Sequence, residues 1–226
     1  MGYLLDNCLF ERLTPELIDR CQPYTCTKDL DIDSFFHKDT KDNFVDYSTE
    51  MMGYSHCFYT NEKIPRMVCA FSLSNSTLRT ATLSKGKRNK FNKTIPNAKR
   101  RSQYPAILIG QLCVFDGFGY NIVKEHVGDE MMDLIKTMAI NLDNDSAARY
   151  IVVDAVNQPN VIGYYKRNGF DFLFESDEEE LKCLRNYTTK KSILQRIKDF
   201  CHLNYKKEKL ICKTRLMWFD LILLKQ

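Results

Sequence analysis

Between residues 105 and 174 the hydrophobic pattern changes period repeatedly, and that succession leaves few folds open. PAILIGQLCVF (105–115) is a continuous apolar run, too apolar for an edge strand with one face in water, so it predicts a central strand. From Gly128 the spacing turns helical: Met131, Ile135, Met138 and Leu142 recur at intervals of four, three and four and form one apolar stripe. RYIVVDAV (149–156) predicts a second buried strand, punctuated by Asn157, Gln158 and Pro159. NVIGYYKRNGF (160–170) then reads as a short helix closed by Gly169, and DFLF (171–174) as the strand after it. Strand, helix, strand, helix, strand defines a mixed α/β region.

The flanking segments extend this plan. In DLDIDSFFHKDTKDNFVDY (29–47), acids alternate with Phe35, Phe36, Phe44, Val45 and Tyr47 at helix-like intervals, as in short amphipathic helices. SHCFYT (55–60) and RMVCAFSLS (66–74), separated by the turn-like NEKIP, predict an antiparallel strand pair. A basic connection occupies residues 84–104. An insertion at about 175–213 opens on the acidic run ESDEEE and carries a predicted helix at SILQRIKDFCHL (192–203), capped by Ser192. TRLMWFDLILL (214–224) predicts the last strand. We read the 226 residues as one domain, long enough to bury a substantial core.

Composition narrows the class of protein. Hydrophobic residues at 44% and charged residues at 27% fit a packed globular chain and not a disordered one. There is no uninterrupted apolar stretch of the roughly 18 residues a spanning helix needs, and MGYLLDNCLFERL lacks the pattern of a secretory leader. A cytoplasmic location is therefore expected. The 9 cysteines are odd in number and without a CxxC pair, which fits small core hydrophobes of a reducing compartment. Neither an HExxH nor another metal-ligand spacing is present, so no metal is expected. Cys201 next to His202 is no nucleophile–base pair, because helical neighbours face apart.

Net charge is only +4, but it is concentrated. KGKRNKFNKTIPNAKRR carries Lys85, Lys87, Arg88, Lys90, Lys93, Lys99, Arg100 and Arg101 with no acid. Such a block is either a solvated connection or a surface for an anionic partner such as RNA, with Lys85, Lys87, Arg88, Lys90, Arg100 and Arg101 as the phosphate contacts. Phe91 and Tyr104 are its only aromatics for base stacking.

A strand followed by a glycine turn and a helix N-terminus makes an anion site, because the first helical amides lack partners and the dipole is positive there. QLCVF, then VGDEMMDLIKTMA, supplies those parts in order. GFG at 117–119 is no dinucleotide fingerprint, since the third glycine is missing and no helix is expected directly after it.

Taken as an ordered set, the motifs resemble the GNAT superfamily of acyl-CoA-dependent N-acetyltransferases. LCV (112–114) matches the family's central strand, EHVGDE (125–130) its (Gln/Arg)xxGx(Gly/Ala) turn, IVVDAVNQ the buried strand with its loop, and YYKRNGF (164–170) its (Phe/Tyr)Tyr-x-x-x-Gly-Phe helix. The resemblance covers most of the chain. It implies an α/β (α+β) fold with a mixed, mostly antiparallel central sheet flanked by helices, and a helical insertion before the last strand. It also implies acetyl-CoA as cosubstrate and a primary amine as acceptor, attacked without a metal.

Residue by residue, the resemblance assigns Leu112, Cys113 and Val114 to the strand whose backbone amides hold the acetyl carbonyl. Glu125, His126, Val127, Gly128, Asp129 and Glu130 fall in the turn that meets pantetheine and pyrophosphate. Asn157 would bond the pantetheine arm, and Tyr165 would protonate the departing thiolate; Tyr164 reads as packing. A phenol pKa near 10 lies close to that of an alkyl thiol, a sensible match for that transfer. No general base is assigned, since Glu125, His126, His56 and Asp154 have only position in their favour. The sequence departs from the family where Glu125 opens the turn and Glu130 closes it: acids there suit the helix dipole but repel a phosphate. That departure motivates the alternative, a GNAT-fold protein binding CoA or RNA without catalysis. The basic connection resembles that of GNAT toxins acting on aminoacyl-tRNA, and a protein or small-molecule amine is equally open as acceptor.

Overall fold

A computed structural model describes residues 2–92, 102–140, 148–188 and 211–224. In chain order they form α1 (Tyr3–Asn7), β1 (Cys8–Arg12), α2 (Pro15–Arg20), α3 (Leu30–Phe35), α4 (Phe44–Thr49), β2 (Tyr54–Thr60) and β3 (Met67–Arg79). Next come α5 (Lys85–Asn92), β4 (Gln103–Val114), α6 (Tyr120–Val123), α7 (Val127–Ile140), β5 (Tyr150–Val156) and α8 (Pro159–Arg167). The chain ends with β6 (Asp171–Phe172), α9 (Asp177–Thr188), β7 (Thr214–Asp220) and a single 3-10 turn, Leu221–Leu224. Seven strands, mostly antiparallel, with helices flanking the sheet, bear out the expected mixed α+β class.

Two compact units divide the chain, one of Met1–Leu78, Gln103–Val153 and Phe219–Gln226, the other of Arg79–Ser102 and Asp154–Trp218. In the first, the strands lie in the order β1-β2-β3-β4-β5. β1 runs antiparallel to β2 and β2 to β3, whereas β4 and β5 are parallel. The apolar 105–115 run is therefore central, with β3 and β5 as its neighbours. Its core joins Leu17, Phe35, Phe36, Phe44, Cys57 and Phe115. The expected amphipathic helices are there because polar side chains start them: Asp29 accepts from the Asp31 and Ile32 amides, and Asn43 with Asp46 forms a capping box on α4.

In the second unit β6 and β7 pair antiparallel, Asp171 opposite Trp218 and Phe172 opposite Met217. The basic connection is not wholly a loop, since Lys85–Asn92 is helical. The acidic run is likewise more than an interruption: it supplies the first turn of α9, where four carboxylates suit the helix dipole. The last strand stops at Asp220, short of the expected 224. Leu142, the helix expected over 192–203, and Cys201 with His202 lie outside the described residues. Among the described residues no helix is long and apolar enough to cross a membrane.

Candidate active site

β4 pairs with β5 over only four residues, Ala106 to Ile109 against Tyr150 to Val153, yet continues to Val114. The Gln111 amide donates to Ser72 Oγ at 2.8 Å. A Cβ at Gly110 would come within 2.8 Å of that same oxygen, so this approach requires glycine. Leu112, Cys113 and Val114 thus lie on a stretch of central strand that β5 has left. The Cys113 side chain points into the core and burial pushes its thiol well above the usual range, so what this stretch offers a ligand is backbone, not thiolate.

Helix α7 packs on β4 within the same unit. Of the expected stripe Met131 and Ile135 are fully buried and Met138 is half-buried, while Met132 and Ala139 join them in the core. Val127, Gly128, Asp129 and Glu130 form its first turn. The amides of Asp129 and Glu130 both point back to the His126 carbonyl, at 2.8 and 3.1 Å. His126 stacks on Tyr120, centroids 4.4 Å apart, and brings Nδ1 to 3.9 Å from Asp129 Oδ2. Glu125 is half-buried. Contrary to expectation, a short helix, α6, does begin directly after Gly119; the missing third glycine alone rules out a dinucleotide fingerprint.

Glu130 has a further partner that the sequence does not reveal. Its carboxylate accepts from the Tyr3 and Leu4 amides, at 3.0 and 2.8 Å, and so caps the start of α1. Gly2 lies against it so closely that a Cβ there would meet Glu130 Cδ at 2.3 Å. The acid at the position where the GNAT turn pattern has Gly or Ala is thus held by two amides of its own chain. Glu130→Ala is expected to leave both amides without their acceptor and to cost about 1–3 kcal/mol. Thermal melts should show a Tm lower by roughly 2–12 °C, and hydrogen exchange a loss of protection at Tyr3 and Leu4. Unchanged exchange there would remove the capping role.

The other two predicted residues belong to the second unit. The glycine-phenylalanine pair of YYKRNGF closes α8 in a Schellman motif: Phe170 N donates to Tyr165 O at 3.0 Å and Gly169 N to Lys166 O at 3.0 Å. Gly169 has φ +82°, which a side chain would disfavour. Phe170 then packs its ring 5.4 Å from that of Tyr165, so the motif fixes the tyrosine it follows. Tyr165 is 7% exposed, and no hydrogen bond to its hydroxyl occurs among the described residues. Burial raises its pKa far above the usual value near 10, so the free protein does not keep the expected match to a thiol. Tyr164 packs edge-on against it, as expected.

Asn157 follows β5 directly, its amide donating to Lys213 O at 2.9 Å. Its side-chain Nδ2 donates twice, to Asp177 Oδ2 at 3.1 Å and to Cys212 O at 2.9 Å. Asp177 also accepts from the Cys212 amide and, through Oδ1, from Arg215. Arg215 in turn binds Glu180 at 2.7 Å and Phe174 O at 3.1 Å. Sequence reasoning missed Asp177, Glu180 and Arg215. Acids in a run of acids carry no spacing that marks which of them turn inward.

Of the residues with positional claims to the base, His56 lies between the rings of Phe10 and Phe71, where burial lowers its pKa. Asp154 is exposed on β5. Among the described residues no group of three or more His, Cys, Asp or Glu could hold a metal ion. In the basic segment, Lys85, Arg88 and Lys90 are exposed on α5. Lys87 instead donates to Leu173 O at 3.0 Å. The two aromatics expected to stack on bases are core residues: Phe91 packs 4.3 Å from Trp218, and Tyr104 packs edge-on to Tyr150. Lys93, Lys99, Arg100 and Arg101 lie outside the described residues.

A central strand that parts from its parallel neighbour, followed by a helix whose first turn carries glycine, is the arrangement of the GNAT fold, and the chain has that fold. The sequence matches no family model and no curated protein. Solved structures do match. A tyrosine-to-phenylalanine mutant of KacT superposes with a TM-score of 0.57 at 12% identity, covering 98% of this chain and 99% of that one. AtaTR bound with acetyl-CoA gives 0.53 at 16% identity, with 98% and 99% covered. AtaT complexed with acetyl-methionyl-tRNA gives 0.51 at 16% identity, with 76% and 92% covered. KacT and AtaT are GNAT-fold toxin acetyltransferases.

Proposed function

We propose that this protein is an acyltransferase that moves the acetyl group of acetyl-CoA to a primary amine. The observation that carries this reading is the parting of β4 from β5 after Ile109, which leaves Leu112 to Val114 with a strand edge free of β5. Amides around Cys113 and Val114 hold the carbonyl oxygen as negative charge develops on it. The turn from Val127 to Glu130, opened by Glu125 and His126, receives the pyrophosphate at the positive end of α7. Asn157 bonds the pantetheine arm. The amine nitrogen bonds to the thioester carbon, the carbon–sulfur bond breaks, and Tyr165 gives its proton to the departing sulfur. The fold supports this, as does the acetyl-CoA carried by AtaTR.

The alternative of a CoA- or RNA-binding protein without catalysis drew on Glu125 and Glu130. The bonding of Glu130 to Tyr3 and Leu4 weakens that argument, because a carboxylate whose two oxygens accept from those amides does not compete with a phosphate for the amides of the turn. Among amines we favour the aminoacyl end of a charged tRNA. Lys85, Arg88 and Lys90 present exposed positive charge on one helix, and AtaT was solved with acetyl-methionyl-tRNA.

Acetyl-CoA at about 100 times its dissociation constant should add about 2.7 kcal/mol, a rise of roughly 5–11 °C in Tm. Labelled acetyl-CoA should then pass its label to charged tRNA and not to the same tRNA stripped of its amino acid. Absence of any thermal shift sinks the acetyl-CoA reading. Transfer confined to peptides or polyamines would overturn the acceptor and leave the chemistry standing.

A further inference from the structure

The insertion grips Asn157 from both of its ends. Asp177 lies near its start and Cys212 near its end, and both present oxygen acceptors to the one Nδ2 of Asn157. A carboxylate and a backbone carbonyl can only accept, so the amide cannot be flipped without setting its oxygen against two others. Both Nδ2 hydrogens are thereby engaged, and so is the backbone N–H of Asn157, on Lys213 O. Among the described residues no donor reaches Oδ1, and this is what the side chain still offers. Asp177 is itself held in place: its Oδ2 also takes the Cys212 amide at 3.0 Å, and its Oδ1 faces Arg215, a guanidinium that is 6% exposed.

We infer that Asp177 is a positioning residue that, with Cys212, fixes Asn157 as a hydrogen-bond acceptor, so that the ligand group recognised there is a donor N–H. This rests on the acetyl-CoA reading, in which Asn157 meets the pantetheine arm, and it selects the amide N–H groups of that arm over its carbonyls. It also gives the insertion a task. Residues 175–213 interrupt the α/β succession in sequence, yet their two ends set the polarity of one side chain at the tip of β5.

The test compares two probes: CoA, and a fragment with its adenosine and phosphates but no pantetheine. Asp177→Asn turns a pure acceptor into a mixed group and frees Asn157 to rotate. It should weaken CoA binding by about 2- to 10-fold, the value of one hydrogen bond, and leave the fragment within about 2-fold. In an Asn157→Leu background the same substitution should have no further effect on CoA, because its route runs through Asn157. Equal losses for CoA and fragment, or full additivity with Asn157→Leu, would overturn the inference. Failure of the unmodified protein to bind CoA at all would instead remove the reading beneath it. Should Asp177→Asn not fold, Asp177→Glu keeps the charge facing Arg215 and moves the carboxylate by one methylene. It makes the same comparison.

Discussion

Tyr165→Phe is expected to slow acetyl transfer by about 10²- to 10⁴-fold while acetyl-CoA binding stays within about 2-fold. The substitution removes one hydroxyl and little else. The ring keeps its edge-on contacts with Tyr164 and Phe170, at 5.1 and 5.4 Å, and the Schellman closure of α8 uses the backbone of residue 165, which is unchanged. Since no hydrogen bond to the hydroxyl occurs among the described residues, its loss strands no buried partner, and Tm should move little. A proton given only as the thiolate departs contributes to the transition state alone, so kcat and kcat/KM should fall together.

The pH dependence sharpens this expectation. Burial raises the phenol pKa above its usual value, so Tyr165 keeps its proton across the neutral and mildly basic range in the free protein. Loss of that proton therefore produces no fall in kcat/KM below about pH 10, the ordinary tyrosine value. The same elevation makes the phenol a weaker acid than the thiol it serves, which places the burden on substrate contacts that stabilise the phenolate. An unchanged rate in the phenylalanine variant removes Tyr165 from the mechanism. A falling limb near neutrality that survives in that variant belongs to another group.

Much of this was legible in residue spacing. The apolar stripe of α7, the apolar β4 and the Gly-Phe closure of α8 are local: each records which face is buried or which φ is needed, and none of the three depends on distant chain. The turn of Glu130 toward Tyr3 and Leu4 was not legible, because a carboxylate's partner 126 or 127 residues away leaves no trace in spacing. The same holds for Phe91. Within a run of lysines and arginines it reads as a stacking residue, and only the arrival of Trp218 beside it makes it core. Charge density misled in a similar way at ESDEEE. Solvation is the ordinary fate of acids, and Glu180, 1% exposed, is buried only because Arg215 and the Leu216 amide meet it.

That buried pair carries the largest expected effect on stability. Arg215→Met should cost about 3–5 kcal/mol at neutral pH, because it leaves the Glu180 carboxylate buried without its cation and frees Asp177 and Phe174 O of theirs. Tm should fall by roughly 6–20 °C. Burial already pushes the Glu180 carboxyl above its usual pKa, although the Leu216 amide and Arg215 pull the other way. A carboxyl raised in this sense binds its proton more tightly when folded, so folding gains below the unfolded value near 4.3 and loses as pH rises through the folded value. Without Arg215 the folded value rises further. The deficit of the variant should therefore be smallest near pH 5 and grow toward pH 7, as denaturant unfolding at the two pH values would record. Arg215→Met with Glu180→Gln should recover most of the loss at pH 7, since glutamine keeps an acceptor for the Leu216 amide and brings no charge. If the two substitutions instead add their costs, the penalty lies in lost packing of the Arg215 side chain, which stacks 4.3 Å over the Phe172 ring, and not in an unpaired charge.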